Sequence, residues 1–329
     1  MRSHRAAQTI TGPLPYDKFG LTLIHEHVLW FGGPGLQHVG YTPIPEALRD
    51  ETVDFAVSML NDAARAGVRT LVDLTPHRPI DLYERIARRT SVKIIASTGF
   101  YRRAKIPAAL AAMEDERQMQ ERMTREITHG IDDTRIRAGI IKIASEGAPL
   151  TEWEQKVFRA AGRVQKETGV PVATHSGPPS APLQHDLLVH SGADPRRIML
   201  SHMDVGTKGD PARLSALLPL LRQGSYFEVD TFGQDFYTPW RELVAFLRFF
   251  CDAGFAGRMC ISVDCNWHWE NGVKIFEGGE APTRDPNASQ RTYAYLLTTA
   301  VPRLLASGFT QRDIDTFLID NPRRLFGGE

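Results

Sequence analysis

The sequence predicts an α/β fold, a (β/α)8 TIM barrel, and three observations carry that expectation. Eight short runs rich in apolar and β-branched residues alternate with longer stretches of helical periodicity. Several of those runs are apolar throughout, the pattern of parallel strands covered on both faces. No glycine fingerprint follows the first run, which argues against an open dinucleotide-binding sheet. A chain of 329 residues suits one such barrel with insertions, and no low-complexity stretch or linker divides it. Residues 1–329 therefore read as a single domain.

The strands are expected, in order, at LTLIHEHV (21–28), TLVDLTP (70–76), KIIASTGF (93–100), AGIIKIASEG (138–147), PVATHSG (171–177), IMLSHMD (198–204), SYFEVDTFG (225–233) and MCISVDCN (259–266). Helices fill the intervals. The first runs through PEALRDETVDFAVSMLNDAARAG and stops at Gly67; another, TEWEQKVFRAAGRVQKETG, opens on a Thr cap and stops at Gly169. Further helical stretches fall around 79–90, 106–128, 183–191, 211–222, 238–253 and 288–307.

Composition excludes several classes of function. Lys+Arg and Asp+Glu both number 39, so no global field recruits nucleic acid or an anionic membrane. The N-terminal segment has no apolar signal-like core, and no later run approaches membrane-spanning length. Cys251, Cys260 and Cys265 have neither zinc-type spacing nor the look of a disulfide framework, which suits thiols in a reducing compartment. The expectation is a cytoplasmic enzyme with a small-molecule substrate.

Six candidate metal ligands fall at or near the carboxyl ends of the expected strands: His25, His27, Lys142, His175, His202 and Asp264. In a barrel those ends converge on one face, where active sites are assembled from several strands. His25 and His27 share one face of their strand and Glu26 points to the other, where a structural hydrogen bond is its expected role. His4, His38, His77, His129, His185, His190 and His268 lie in the tail, helices or loops and are expected to be solvated or capping. Among them His268, just past the eighth strand, is the one to watch. An isolated pair of histidines is as readily explained by core hydrogen bonding; two further strand-end histidines and an aspartate weigh against that. Imidazole with carboxylate suits zinc, iron, cobalt or manganese.

Lys142 is the odd member. A buried ammonium is costly and has no lone pair for a metal. It could pair with a carboxylate, or react with carbon dioxide to give a carbamate that offers one oxygen to each of two cations. Four histidines and an aspartate exceed what one catalytic metal with an open position needs. They suit two metals, and two metals need a bridge. The carbamate meets both requirements.

The chain resembles the phosphotriesterase family (phosphotriesterase-like lactonases and phosphotriesterase-related proteins) of the amidohydrolase superfamily. The resemblance lies in GLTLIHEHV, GVRTLVDLTP, STGFY, AGIIKIAS, PVATHSG, IMLSHMD, the VD ending at Asp264 and the closing DNPRRLFG, in order over nearly the whole chain. It implies two divalent metals per chain, zinc first among zinc, manganese, cobalt and iron. His25, His27 and Asp264 would hold the more buried metal and His175 and His202 the more exposed one, with carboxylated Lys142 and a hydroxide as bridges. Homodimers are common in that family, though no interface signal is legible here. One departure bears on substrate. Where lactonases of the family have an arginine after the seventh strand, and phosphotriesterases a histidine, this sequence has Thr231.

The implied chemistry is attack by a metal-bridging hydroxide on an ester or lactone, with phosphotriester cleavage as a side activity. Asp264 is placed to accept the proton, and Tyr101 to donate a hydrogen bond to the substrate oxygen or to line the pocket. Alternatives are an N-acyl amine amidase, a mononuclear barrel deaminase with a plain Lys142, a binding protein that has lost catalysis, and a phosphate-binding barrel. The scaffold would be expected to lack a ligand residue, and the phosphate barrel to carry a glycine-rich loop after strand 7 or 8. Trp30, Phe31, Phe100, Tyr101, Phe232, Phe236, Trp267 and Trp269 flank the strand ends; roughly half of them are expected to pack under their own loops, and even half would make an apolar mouth. If Arg102 or Arg103 turns inward to bind an acidic group, the N-acyl amine becomes the alternative.

Overall fold

The computed structural model describes residues 6–29, 44–270, 273–277 and 291–328. A short antiparallel hairpin, β1 (Ala6–Thr9) and β2 (Gly12–Pro15), opens the chain and was not expected from the sequence. Eight parallel strands follow: β3 (Thr22–Glu26), β4 (Thr70–Asp73), β5 (Lys93–Phe100), β6 (Ile140–Ala144), β7 (Val172–His175), β8 (Ile198–Ser201), β9 (Tyr226–Val229) and β10 (Met259–Ile261). They lie side by side in sequence order, with helices in the connections, and each falls within one of the eight expected runs. A second antiparallel hairpin, β11 (Asn266–Glu270) and β12 (Val273–Glu277), leaves the end of the last run. No helix among the described residues is long and apolar enough to cross a membrane.

Most of these strands are shorter than the expected runs because the ladder ends where the chemistry begins. His202 and Asp264 follow β8 and β10 at φ 59° and 51°. Non-glycine residues rarely hold that conformation, and where they do the surroundings must over-determine it. The two outer strands of the sheet meet at the same level. Asp264 N–H donates to the His25 carbonyl and His27 N–H to that of Cys265, both at 3.1 Å. Glu26 fastens the seam as the structural acid it was expected to be. Fully buried, it accepts from Ser262 Oγ at 2.7 Å, Val263 N–H at 3.0 Å and Cys265 N–H at 2.7 Å.

β3 does not keep a simple alternation. Leu23 pairs with Leu71 and Glu26 with Asp73, so three steps on β3 face two on β4, an inserted residue that re-aims the strand end. Below the bulge one buried cluster takes a residue from every strand: Ile24, Val72, Ile95, Ile140, Ala173, Met199, Tyr226 and Cys260. Phe19, Leu325 and Phe326 join it, so the sequence-terminal helix Asn321–Gly327 closes the end of the barrel remote from the strand tips. This accounts for DNPRRLFG. Asn321 Nδ2 donates to the carbonyls of Met259 (2.6 Å) and Ala256 (2.8 Å), anchoring the helix to β10, and Leu325 and Phe326 plug the core.

The helices follow their signals with two breaks. Thr151 and Glu154 form a reciprocal capping box, and Gly67 and Gly169 end their helices at φ 113° and 74°. The stretch expected at 106–128 divides into Ala108–Ala111 and Glu116–Thr128, because Asp115 caps a new helix by accepting from Arg117 N–H at 2.8 Å. That at 211–222 divides into Pro211–Ser215 and Leu218–Arg222. The last stretch is helical over Leu296–Ala306; residues 288–290 of it lie outside the described residues.

Candidate metal centre

The six residues singled out in the sequence come together at the carboxyl ends of the strands. Three imidazoles are arranged alike, each with Nδ1 tied to an outer partner and Nε2 turned to the centre. His25 Nδ1 lies 2.9 Å from Glu228 Oε2 and 3.2 Å from Asp230 Oδ2, and its Nε2 lies 3.0 Å from Lys142 Nζ. His27 Nδ1 meets Thr75 Oγ1 at 2.8 Å, and its Nε2 lies 3.1 Å from Asp264 Oδ1. His202 Nδ1 meets Asp230 Oδ2 at 2.7 Å, and its Nε2 faces His175 Nδ1 at 2.8 Å. His175 is turned the other way, with Nδ1 inward and Nε2 2.8 Å from the Arg102 guanidinium. An acceptor at the outer nitrogen fixes the proton there and leaves the inner lone pair free, which is how proteins orient imidazole ligands.

Electrostatics favours neutral rings at two of these positions. Burial, then the nearby Lys142 cation, lowers the His25 pKa to about 3, and burial with His202 and Arg102 holds His175 well below its ordinary value. At His202 burial also lowers it, but the charge and hydrogen bond of Asp230 outweigh that and leave the ring raised. Burial lowers Lys142 to about 8 against the pull of Asp264, Glu228 and Asp230. An amine poised there has far more of its reactive free form near neutrality than an ordinary lysine. The close packing at this point is also visible in Gly99, paired with Lys142 in the ladder at φ 127°, where an added Cβ would sit 1.9 Å from the Lys142 carbonyl oxygen.

The donor set fits a cation. One ligand atom each from His25, His202, Asp230 and Asp264 lie within 4.8 Å of one another. Asp230 was not singled out from the sequence, nor were its neighbours Glu228 and Asp204, all buried. Thr231, the position that departs from the family pattern, donates its hydroxyl to Asp204 Oδ2. A signal was present. Acidic residues at alternating positions of a buried strand, as in FEVD, raise the same question that singled out Lys142.

Around the centre, Tyr101 packs edge-on against His175 with ring centroids 5.4 Å apart. Arg102 reaches inward to His175, whereas Arg103 turns outward to the Ala111 carbonyl and Glu114. Some of the flanking aromatics pack away, as expected for roughly half of them. Phe100, Phe232 and Trp267 are buried in the core, and Trp269 is half-buried with its Nε1–H on Thr52. Phe236 is exposed, beside Tyr237; Trp30 and Phe31 lie outside the described residues. Of the other histidines, His4 and His38 also lie outside them. His190 meets its own helix's Asp186 carbonyl at 2.7 Å, and His129 is exposed. His77, His185 and His268 are not solvated as expected: the Nε2 of His77 is buried, its ring edge-on to Phe100, His185 is buried on the helix Ala181–His190, and His268 is buried on β11.

Comparison with known proteins shows the family. A Mycobacterium tuberculosis phosphotriesterase homology protein is 31% identical over 331 residues, covering 97% of this chain and 96% of its own. An N-acetyltaurine hydrolase from Salmo salar is 28% identical, covering 96% of each chain. The solved structure of a mutant Deinococcus radiodurans PTE-like lactonase superposes with a TM-score of 0.80 at 32% identity, over 97% of this chain and 99% of that one. The model of the phosphotriesterase family matches residues 5–326, and this chain belongs to that family.

Proposed function

We propose that this protein hydrolyses a carboxylic ester or lactone at a centre for two divalent metals, with phosphotriester cleavage as a side activity. One observation carries the reading: four imidazoles each turn one ring nitrogen onto a centre that also holds Asp264 and Lys142. His25, His27 and Asp264 would hold one cation and His175 and His202 the other. Lys142 would join them after its free amine attacks carbon dioxide and releases a proton to leave the anionic carbamate. Zinc is our first choice, with manganese, cobalt and iron as alternatives. Such a pair lowers the pKa of water towards neutrality and polarises the bond under attack.

The chain's own residues supply the rest. Asp264, with Oδ1 3.1 Å from His27 Nε2, is held at the centre to accept the proton of the attacking water. Tyr101, edge-on to His175, is placed to line the acyl group or donate to its oxygen. The three cysteines are all free thiols, two of them buried, which supports a cytoplasmic setting.

Arg102 favours a second reading, the amide of an N-acyl amine that carries an acid. Its contact with His175 Nε2 requires that nitrogen to accept, since a guanidinium can only donate. A cation on Nδ1 would move the proton to Nε2 and set donor against donor, freeing the guanidinium for an anion. Glu146, 3.5 Å from its Nε, is one such anion and a substrate's acid group another. The Salmo salar relative, an N-acetyltaurine hydrolase, supports the same reading. Metal content per chain, with kcat/KM over matched lactones, esters, phosphotriesters and acid-bearing N-acyl amines, tests both. A preference of about 100-fold or more for phosphotriesters or for the anionic amides overturns the first; one metal per chain overturns the binuclear centre.

A further inference from the structure

We infer that Glu228 is a positioning residue dedicated to His25, and that Glu228 and Asp230 divide the two halves of the metal centre between them. The inference rests on the binuclear reading above. Glu228 sits in β9 opposite Cys260 of β10 and is fully buried. Its Oε1 has no hydrogen-bond partner. A buried carboxyl with one unsatisfied oxygen is expensive in a strand that a small apolar side chain could fill. What it contributes is the contact of Oε2 with His25 Nδ1 at 2.9 Å.

Asp230 lies two residues on, on the same face of the strand line, and could serve His25 alone were it not engaged elsewhere. It stands 2.7 Å from His202 Nδ1 and 3.2 Å from His25 Nδ1. The shorter contact assigns it first to His202, and Glu228 is then the nearer acceptor for His25. Each half of the centre thus has its own orienting acid. Outer partners of imidazole ligands fix both tautomer and ring direction, and losing one costs roughly 10- to 100-fold in metal affinity.

The test uses the full chain stripped of metal and titrated with Co2+, read by its absorption bands and by competition with a chelator. Glu228→Ala should weaken one binding step roughly 10- to 100-fold, the step also lost in His27→Ala and kept in His175→Ala. Asp230→Ala, which removes the acceptor for His202 Nδ1, should weaken the step lost in His175→Ala. Glu228→Gln retains an oxygen acceptor for Nδ1–H and should bind both ions within about threefold of the parent. That rescue separates orientation from mere space-filling, and it keeps the test open if the alanine variant folds poorly. Unchanged Co2+ binding in Glu228→Ala overturns the inference. So does equal weakening of both steps, or a Gln variant as weak as the Ala variant. A parent chain that binds one ion refutes the binuclear reading alone; Glu228→Ala must then weaken that single ion.

Discussion

Replacing Lys142 by methionine should stabilise the metal-stripped protein while removing its second metal. Lys142 is fully buried and its pKa stands at about 8 rather than 10.5. Holding the ammonium in the fold at neutral pH therefore costs about 3 kcal/mol relative to the unfolded chain. The lost contact with His25 Nε2 offsets about 1 kcal/mol, leaving a net gain of about 2. At about 2.1 cal/mol/K of unfolding entropy per residue over 329 residues, that is about 3 °C in Tm. The sign with pH follows from linkage. The folded pKa is depressed, so the unfolded chain binds more protons between about 8 and 10.5, and parent stability rises with pH across that window. The variant has no such proton, so its advantage is full below about pH 8 and cancels near about pH 9.5. Thermal unfolding of both proteins in chelator, at about pH 7 and about pH 9.5, measures it. A variant no more stable than the parent near neutrality, or an advantage that persists at the higher pH, would refute the reasoning. With metal restored, the same variant should hold fewer ions and lose most of its activity, since no bridge can form.

Asp264→Asn should lower kcat by about 10²- to 10⁴-fold with metal content largely kept, because an amide oxygen still faces the centre but accepts no proton; equal turnover would remove Asp264 from the chemistry. Arg102→Gln should cut kcat/KM for acid-bearing N-acyl amines by about 10- to 100-fold and leave neutral esters unaffected, the loss of one charge-assisted contact. If both substrate classes fall together, Arg102 acts through His175 and not on substrate. Asn321→Ala removes two hydrogen bonds, one of them buried, at the remote end of the barrel and should lower stability by about 1–3 kcal/mol, read by denaturant midpoint, with kcat of the folded fraction unchanged.

How much of this was legible in the sequence depended on whether a residue's role was local. The eight strands were, because a strand covered on both faces is written as a continuous apolar run. KIIASTGF became β5 residue for residue, and the Thr151 and Gly169 caps stood where their side chains and φ angles require. His25, His27, Lys142, His175, His202 and Asp264 were legible for a related reason. A polar group at the end of an apolar run is anomalous on its own, before any partner is known.

Roles created by the meeting of distant segments were not legible. The seam that Glu26 fastens depends on β3 lying against the segment after β10, more than 230 residues away in the chain. No local pattern encodes that neighbour. Asp230 and Glu228 were visible as acids in a buried strand, but what they orient is set by His25 and His202 arriving from β3 and β8. The aromatics were legible only as a set: roughly half were expected to pack away, and only packing decides that Phe100, Phe232 and Trp267 are among those that turn into the core. Arg102 and Arg103 are adjacent and chemically identical, so sequence had no means to separate them. Tertiary structure did, by placing His175 within reach of one and Glu114 within reach of the other.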